Sequence, residues 1–418
     1  MTGGQSATPA PRDQVDVVIV GAGPTGLALA CALATRAVDF VILDRAPEGG
    51  ATSRAAVVHA RTLEALEEID LSKDFVSHGL VVPRFTLRDR DNDLLTVHFE
   101  TLPTDYPYTL MLPQNVTEEL LANRLVNSGG VVYREHAVTD LDLDGERVTV
   151  TVARRDGSTS QLHARYLVGC DGMYSVVRER MSIGFTGDRY PEYFALADVS
   201  MDWALSRDEV QLFFSPLGLV VVAPLPGDRY RIVATMDNAP EHPALADVQA
   251  LLNDRGPIHH PATIHDVVWS SRFRVHHRIA DAYRRGPVFL AGDAAHVHSP
   301  AGGQGMNIGI QDALLLGNML AEVLSGAQSD NYLDRYQALR RPVALNVITM
   351  THRLTRAATA RSHLAQAVRN NVFSLAGHLR PVQRRIAMTL SELDNRSPRG
   401  ARASASQGNA HARSLPPS

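Results

Sequence analysis

Val15-Asp16-Val17-Val18-Ile19-Val20-Gly21-Ala22-Gly23-Pro24-Thr25-Gly26 is the stretch on which the fold turns. A β-forming apolar run leads straight into Gly-x-Gly-x-x-Gly. Helix-forming residues follow over Pro24–Arg36, and Phe40–Leu43 reads as the next strand, closed by Asp44. Residues 15–34 are almost wholly apolar, but the glycine insert divides them into strand, turn and helix, not one membrane span. Gly21 permits the tight turn, Gly23 lets backbone N–H groups approach a pyrophosphate, and Gly26 lets the helix pack close to the strand. The first turn of the helix, with Pro24 and Thr25, brings its partial positive charge to the phosphates. Asp44 stands where a carboxylate binds ribose hydroxyls. This motif suits NAD and FAD equally.

Around that core, the chain has 418 residues, 44% hydrophobic and 21% charged, which predicts two or three ordinary globular domains. The net charge of −4 carries no footprint for nucleic acid or an anionic membrane. Lys73 is the sole lysine beside 40 arginines, which removes a P-loop and leaves a Schiff base only that one position. Cys31 and Cys170 are too few for a disulfide framework or a zinc site, so no metal is expected. The first fourteen residues lack the pattern of a signal peptide, and a cytoplasmic chain is the default.

Residues 1–14 and 395–418 read as disordered tails. Helices are expected at Arg61–Ile69, at Asn115–Asn127 with Asn115 as cap and Glu118 three residues on, and at Gln304–Leu324. Strands are expected at Val131–Arg134, Val138–Asp142, Arg147–Arg154 and Tyr166–Gly169, with Asp144-Gly145 as a hairpin turn. From 185 to 275 strand-like runs dominate: Phe194–Val199, Val210–Phe214, Leu219–Ala223 and Tyr230–Thr235. Val288–Ala291 is a further buried strand. From Tyr332 to Leu390 the pattern is helical, interrupted near Pro342 and Pro381.

Two later clusters select the ligand. Tyr166-Leu167-Val168-Gly169-Cys170-Asp171-Gly172 is a strand ending in Asp-Gly, with Ser175 and Arg178 on the helix after it. The third is a strand ending in Gly292-Asp293, which runs through Pro300-Ala301-Gly302-Gly303-Gln304-Gly305-Met306-Asn307 into a long helix. A carboxylate beside a glycine-rich helix start suits a polyol and a planar electron-rich ring. Asp293 would accept hydrogen bonds from ribitol hydroxyls, and the N–H groups of Gly305, Met306 and Asn307 would face the flavin N1–C2 carbonyl edge.

With these three clusters in this order, the sequence resembles the single-component FAD-dependent aromatic hydroxylases of the p-hydroxybenzoate hydroxylase type, from about Asp16 to Leu393. The resemblance implies a mixed α/β fold: a Rossmann-like FAD-binding domain (15–184 and 276–330), an inserted antiparallel-sheet substrate domain (185–275) and a C-terminal helical region (331–394). It implies that Gly21, Gly23, Gly26, Asp44 and Arg45 hold the ADP half of non-covalent FAD. Arg54 and Gln114 match positions contacting the cofactor's central section, and Val138 one near the adenine. Asp171 and Gly172 match the Asp-Gly pair tied to FAD and NAD(P)H handling. Asp293 matches the ribitol ligand, Pro300 the proline beside the reacting C4a edge, and Gly303 through Asn307 the isoalloxazine loop. Many relatives carry a Trp-Lys pair where this chain reads Leu316-Gly317-Asn318-Met319-Leu320. An ionic contact from that helix is then not expected, and the helix start with Arg45 and Arg54 is left to meet the negative charge of reduced flavin. Many polyketide-modifying relatives also carry a C-terminal thioredoxin-like domain, which is not expected here.

The implied reaction is NAD(P)H- and O2-dependent hydroxylation of a phenolic or aromatic small molecule, a class that includes polyketide-derived compounds, through a C4a-hydroperoxyflavin. The resemblance implies that NADPH or NADH binds transiently, and the sequence carries no second strand–GxGxxG–helix unit for it. The substrate is expected between the inserted sheet and the flavin, with Phe213, Phe214, Pro224, Tyr230 and Met236 as lining residues. His59, Arg61, His296 and His298 are candidate polar groups near the ring; His298, two residues before Pro300, is the first choice for catalysis. Tyr106 and Tyr108 could form a lid. Epoxidation, Baeyer–Villiger chemistry, reduction of an isoprenoid or quinone-like substrate, and a non-catalytic flavin-containing binder remain as alternatives. A halogenase is excluded, because Trp203 and Trp269 are isolated. A monomer or homodimer is expected, and the amphipathic stretch Ser362–Leu375 could touch a membrane surface, although the interruption at Pro381 and the scattered arginines favour packing on the FAD domain or on a second subunit.

Overall fold

The computed structural model describes residues 11–50, 54–358 and 362–396. The strand Gln14–Val20 enters the glycine turn, and the helix Pro24–Thr35 leaves it. Around them a sheet runs in the order Arg284–Arg285, Val288–Leu290, Thr159–Gly169, Gln14–Val20, Phe40–Leu43, Val132–Tyr133. The strands from Val288–Leu290 to Val132–Tyr133 are parallel, and Val288–Leu290, Gln14–Val20 and Phe40–Leu43 are largely buried, which is why they read as apolar runs. The hairpin His136–Asp144 and Arg147–Arg154 joins this sheet through Thr159–Gly169, turning at Gly145 with φ +62°.

Register decides where the chemistry gathers. Val20 pairs with Gly169, and Gly169 pairs with Leu290. Three strands therefore end level, and the glycine turn, the Asp171-Gly172 turn and the Gly292-Asp293 turn leave the same edge of the sheet. That edge, outside the carboxyl ends of parallel strands, is where open α/β sheets bind ligands.

A second sheet has the order His296–Val297, Thr263–Ala280, Phe185–Asp202, Arg229–Met236, Gly218–Leu225, Glu209–Ser215, Arg84–Asp89, Asn92–His98. It is wider than the 185–275 segment. Arg84–Asp89 pairs parallel with Glu209–Ser215, so the first segment of the chain lends it a hairpin. Two 18-residue strands, Phe185–Asp202 and Thr263–Ala280, form its long ribbon. Thr263–Ala280 escapes sequence reading because the exposed His265, Arg272 and Arg274 interrupt its apolar alternation.

The helix Gly305–Leu324 packs along Pro24–Thr35 through small residues. A Cβ on Gly309 would sit 2.6 Å from Thr25 Oγ1, and one on Gly317 2.7 Å from Ala32 Cβ. Nothing bulky fits at Gly317, and Asn318 turns outwards to Glu68 at 2.5 Å. Asp334–Ala358, His363–Gly377 and Arg380–Leu390 complete the chain. Pro342 lies inside the first of these helices instead of interrupting it.

Several boundaries differ from expectation. Arg12–Gln14 belong to the fold: Arg12 pairs with Asp39, and Gln14 is in register with His163. Arg396 pairs with Glu64, so the far end is held past 395. The remaining tail residues, 1–10 and 397–418, lie outside the described residues. The helix expected from Asn115 starts at Gln114 after Pro113 and has no side-chain cap. Gln114 instead donates to Glu118 at 2.9 Å.

Candidate active site

A cavity of about 1120 Å³ runs from the glycine turn, past the level strand ends, to a chamber against the second sheet. Gly21, Gly23, Pro24, Thr25, Asp44, Arg45, Arg54, Gln114 and Val138 line one end. Asp171, Gly172, Asp293, Pro300, Gly303, Gly305 and Met306 line its middle. Residues some 290 positions apart thus share one wall.

The glycines have distinct physical tasks. Gly21 has φ +98°, and a Cβ there would meet the Cys170 carbonyl oxygen at 2.5 Å. Gly26 does not line the cavity; its Cβ would lie 1.9 Å from the Gly21 oxygen, so it seats the helix on the strand. A Cβ on Gly23 meets nothing within 4 Å, so the open space beside it belongs to the cavity. The helix after it has no side-chain cap, which leaves its first N–H groups free for phosphate. Asp44 accepts from Ala22 N–H at 2.6 Å and Ala46 N–H at 2.7 Å, which anchors the carboxylate at the strand end.

The second cluster is knitted to the third. Ser175 Oγ accepts from Arg178 N–H at 3.0 Å and caps the helix Val176–Arg180. The Arg178 guanidinium, stacked 3.9 Å from the Phe185 ring centroid, donates to the carbonyls of Ala294 at 2.8 Å and Met173 at 2.7 Å. Asp171 Oδ2 accepts from Val177 N–H at 3.2 Å, while Oδ1 is buried without a partner. Asp293 opens into the cavity, yet protein crowds round it. That confinement raises its carboxyl above the usual range, with His296 and Arg54 pulling it back.

Below the third turn lies a support that sequence reading missed. Asp312 holds His296 Nε2 at 2.7 Å, the Gly292 N–H at 3.3 Å and the Arg340 guanidinium. His296 therefore faces away from the cavity. His59 is also turned aside: its Nε2 meets the Gly302 carbonyl at 2.7 Å, and burial pushes its ring down to about 4. Asn307 does not line the cavity. Its Oδ1 accepts from His59 N–H at 2.8 Å, and its Nδ2 donates to Val57 and Gly303 carbonyls. Arg61 pairs with Glu64, and Tyr106 donates to Glu67, so neither reaches the cavity. Of the expected polar groups, His298 is the one at the wall. Its Nδ1 donates to the Ser299 carbonyl at 2.9 Å, and Nε2 is an acceptor without a donor. Burial holds the ring down to about 4, so it is neutral near pH 7.

Strand alternation sorts the expected substrate residues. Phe214 lines the chamber with Val210 and Leu212, whereas Phe213 packs on the opposite face against Trp203. Pro224, Tyr230 and Met236 also miss the chamber; their neighbours Ala223, Arg231 and Thr235 line it. Phe85, Leu87, Leu95 and Val97, from the unexpected hairpin, form a further wall. Arg231 is clamped by Asp198 at 2.7 and 2.8 Å and donates to the carbonyls of Arg54 and Ala55. It ties the second sheet to the loop beside the glycine turn.

The fit to FAD is good on this chain's own geometry. There is an open glycine turn under an uncapped helix, a carboxylate at the second strand end, an unpartnered Asp171 oxygen, and a cavity-facing Asp293 beside a second uncapped helix start at Gly305. Among the described residues no group of side chains could hold a metal ion, and no helix is long and apolar enough to cross a membrane.

Comparison with known proteins agrees. A family model described as FAD binding domain matches residues 14–351. The chain is 38% identical over 385 residues to 6-methylpretetramide 4-monooxygenase of Streptomyces rimosus, covering 90% of this chain and 68% of that protein. The structure of p-nitrophenol 4-monooxygenase from Pseudomonas putida DLL-E4 superposes with a TM-score of 0.83 at 27% identity, covering 92% of this chain and all (100%) of that one. Anhydrotetracycline hydroxylase from Streptomyces rimosus gives a TM-score of 0.75 at 36% identity, over 92% of this chain and 77% of that one. None of the alternative chemistries is favoured by these relatives. With the three turns on one sheet edge and a chamber beside them, the chain belongs to the FAD-dependent aromatic hydroxylases, the flavoprotein monooxygenases built on this FAD binding domain.

Proposed function

We propose that this protein hydroxylates a phenolic, polycyclic aromatic small molecule of polyketide type, with NADPH or NADH as transient reductant and dioxygen as co-substrate. The observation that carries the reading is the chamber. It is continuous with the nucleotide turns, and its walls are apolar over Phe85, Leu87, Val210, Phe214, Leu219, Val221, Val233 and Phe273. A flat hydrophobic ring system fits such walls, and few water molecules do. The names of the S. rimosus relatives point to the same substrate type.

When bound, FAD accepts the hydride and activates dioxygen for transfer of one oxygen atom to the ring. The chain's own residues do the rest. Gly21–Thr25 and Asp44 would bind the ADP half, Asp293 the ribitol, and the uncapped start at Gly305 would stabilise negative charge at the pyrimidine edge. The apolar walls exclude water from the reacting carbon. His298 is too weak a base to strip a phenol outright. Its neutral ring, with Nδ1–H committed to Ser299, presents Nε2 as the acceptor that orients a phenolic hydroxyl.

The test is turnover under heavy oxygen gas across a panel of polycyclic phenols, following NAD(P)H oxidation and product mass. Substrate-stimulated oxidation and one labelled oxygen atom per product are expected. An unlabelled product would overturn the hydroxylase reading for this chain.

A further inference from the structure

The helix His363–Gly377 has two unlike faces. Its inner face is committed to the fold. Asn370 donates to Asp89 at 2.8 Å, Arg369 lies 5.0 Å from the Phe214 ring centroid, and Phe373 packs on Phe214 with centroids 5.7 Å apart. Its outer face carries Val368, Val372 and Leu375, exposed by 55%, 57% and 65%, and Leu379 continues the row at 46%. Val368, Val372 and Leu375, spaced by four and three, form one stripe along the helix, and Leu379 follows in the turn after it. Isolated exposed apolar residues need no explanation, but three on one helix face with a fourth beyond do.

Charge follows the stripe in the next helix. Arg380, Arg384 and Arg385 follow it on the helix Arg380–Leu390 and line a shallow cleft with Pro381 and Met388. Arg385 faces Asp394 at 3.9 Å. Arg380 and Arg384 are exposed and have no ion-pair partner among the described residues. The sequence beyond adds Arg399, Arg402 and Arg413 without an acidic residue from 397 to 418. The whole chain is acidic at −4, so this end is a local reversal of sign.

We propose that this face is a peripheral docking surface for an anionic lipid bilayer. An apolar row beside arginines is the pattern of a helix lying in a membrane interface, where valine and leucine enter the acyl boundary and guanidinium groups meet phosphate headgroups. A second copy is the weaker occupant. An identical patch offers arginines, and no anionic group, to meet Arg380 and Arg384. The proposal is independent of the substrate reading, since Val368, Val372, Leu375, Arg380 and Arg384 do not line the active-site cavity.

Full-length holoprotein is sedimented with vesicles of phosphatidylglycerol and phosphatidylcholine, and with pure phosphatidylcholine. Binding to the anionic vesicles alone, weakened by salt, is expected. Arg380→Glu/Arg384→Glu should lower partitioning by roughly 30-fold or more, and Val372→Asp/Leu375→Asp should abolish it. Both variants should keep their flavin content and NAD(P)H oxidation, which shows that the fold survives. Equal binding to both vesicle types, or none at low salt, overturns the proposal. So does a concentration-dependent dimer of the wild type that Val372→Asp/Leu375→Asp dissociates while vesicles bind neither form.

Discussion

Glu392 is a buried carboxyl whose perturbation can be worked through from its surroundings. It sits in the left-handed region at φ +62°, just past the last long helix, with 1% of its surface exposed. Gln311, on the helix that begins at the Gly305 turn, donates to Oε2, while Oε1 is buried without a partner. Burial is the dominant influence and raises the carboxyl from 4.5 to about 8, against weaker pulls from Gln311, Arg340 and Arg61. The folded state therefore keeps a proton that the unfolded chain releases near 4.5. Its contribution to stability is full below that pH and is lost as pH rises through about 8. At about 1.4 kcal/mol per pH unit over that interval, the loss is on the order of 4–5 kcal/mol. Glu392→Gln has the shape of the protonated acid and cannot ionise. Urea unfolding with saturating FAD, from pH 5 to 8.5, should show the two proteins alike at pH 5. The variant should be more stable by several kcal/mol at pH 8.5. Parallel curves, or a variant weaker at every pH, would refute the reasoning.

Three further outcomes are expected. Phe213→Ala should cost about 3–5 kcal/mol of stability with little change in KM, whereas Phe214→Ala should change substrate KM and coupling; the reverse assignment would contradict the strand register. Gly309→Ala should weaken FAD retention in a fluorescence titration, because its Cβ would press on Thr25 Oγ1 and Gly292 Cα. Thr25→Ala should relieve part of that loss, and equal affinity in the single variant would remove the close-packing argument. His59 is neutral when folded until about pH 4, while the unfolded chain takes a proton near 6.5. Stability should therefore fall by about 3 kcal/mol as pH drops through that window. His59→Gln should flatten the acid side of a melting-temperature profile, and an unchanged slope would show that other groups set it.

The sequence by itself determined the nucleotide half of this protein. Parallel strands buried on both faces are continuous apolar runs, and the turns after them need glycine and a carboxylate at fixed offsets, so Gly21–Gly26, Asp44, Asp171 and Asp293 are all legible locally. The substrate half is different. Whether Phe213 or Phe214 faces the chamber depends on a one-residue register, and sequence alternation does not say which face is covered. The hairpin Arg84–His98 joins the second sheet through a pairing some 125 residues away in sequence, between Arg84 and Glu209. Which way the histidines face was likewise decided by neighbours distant in the chain: Asp312 turns His296 aside and Gly302 holds His59, while His298 stays at the wall. Local chemistry is written in spacing; the direction a side chain faces is decided by what packs on its other side.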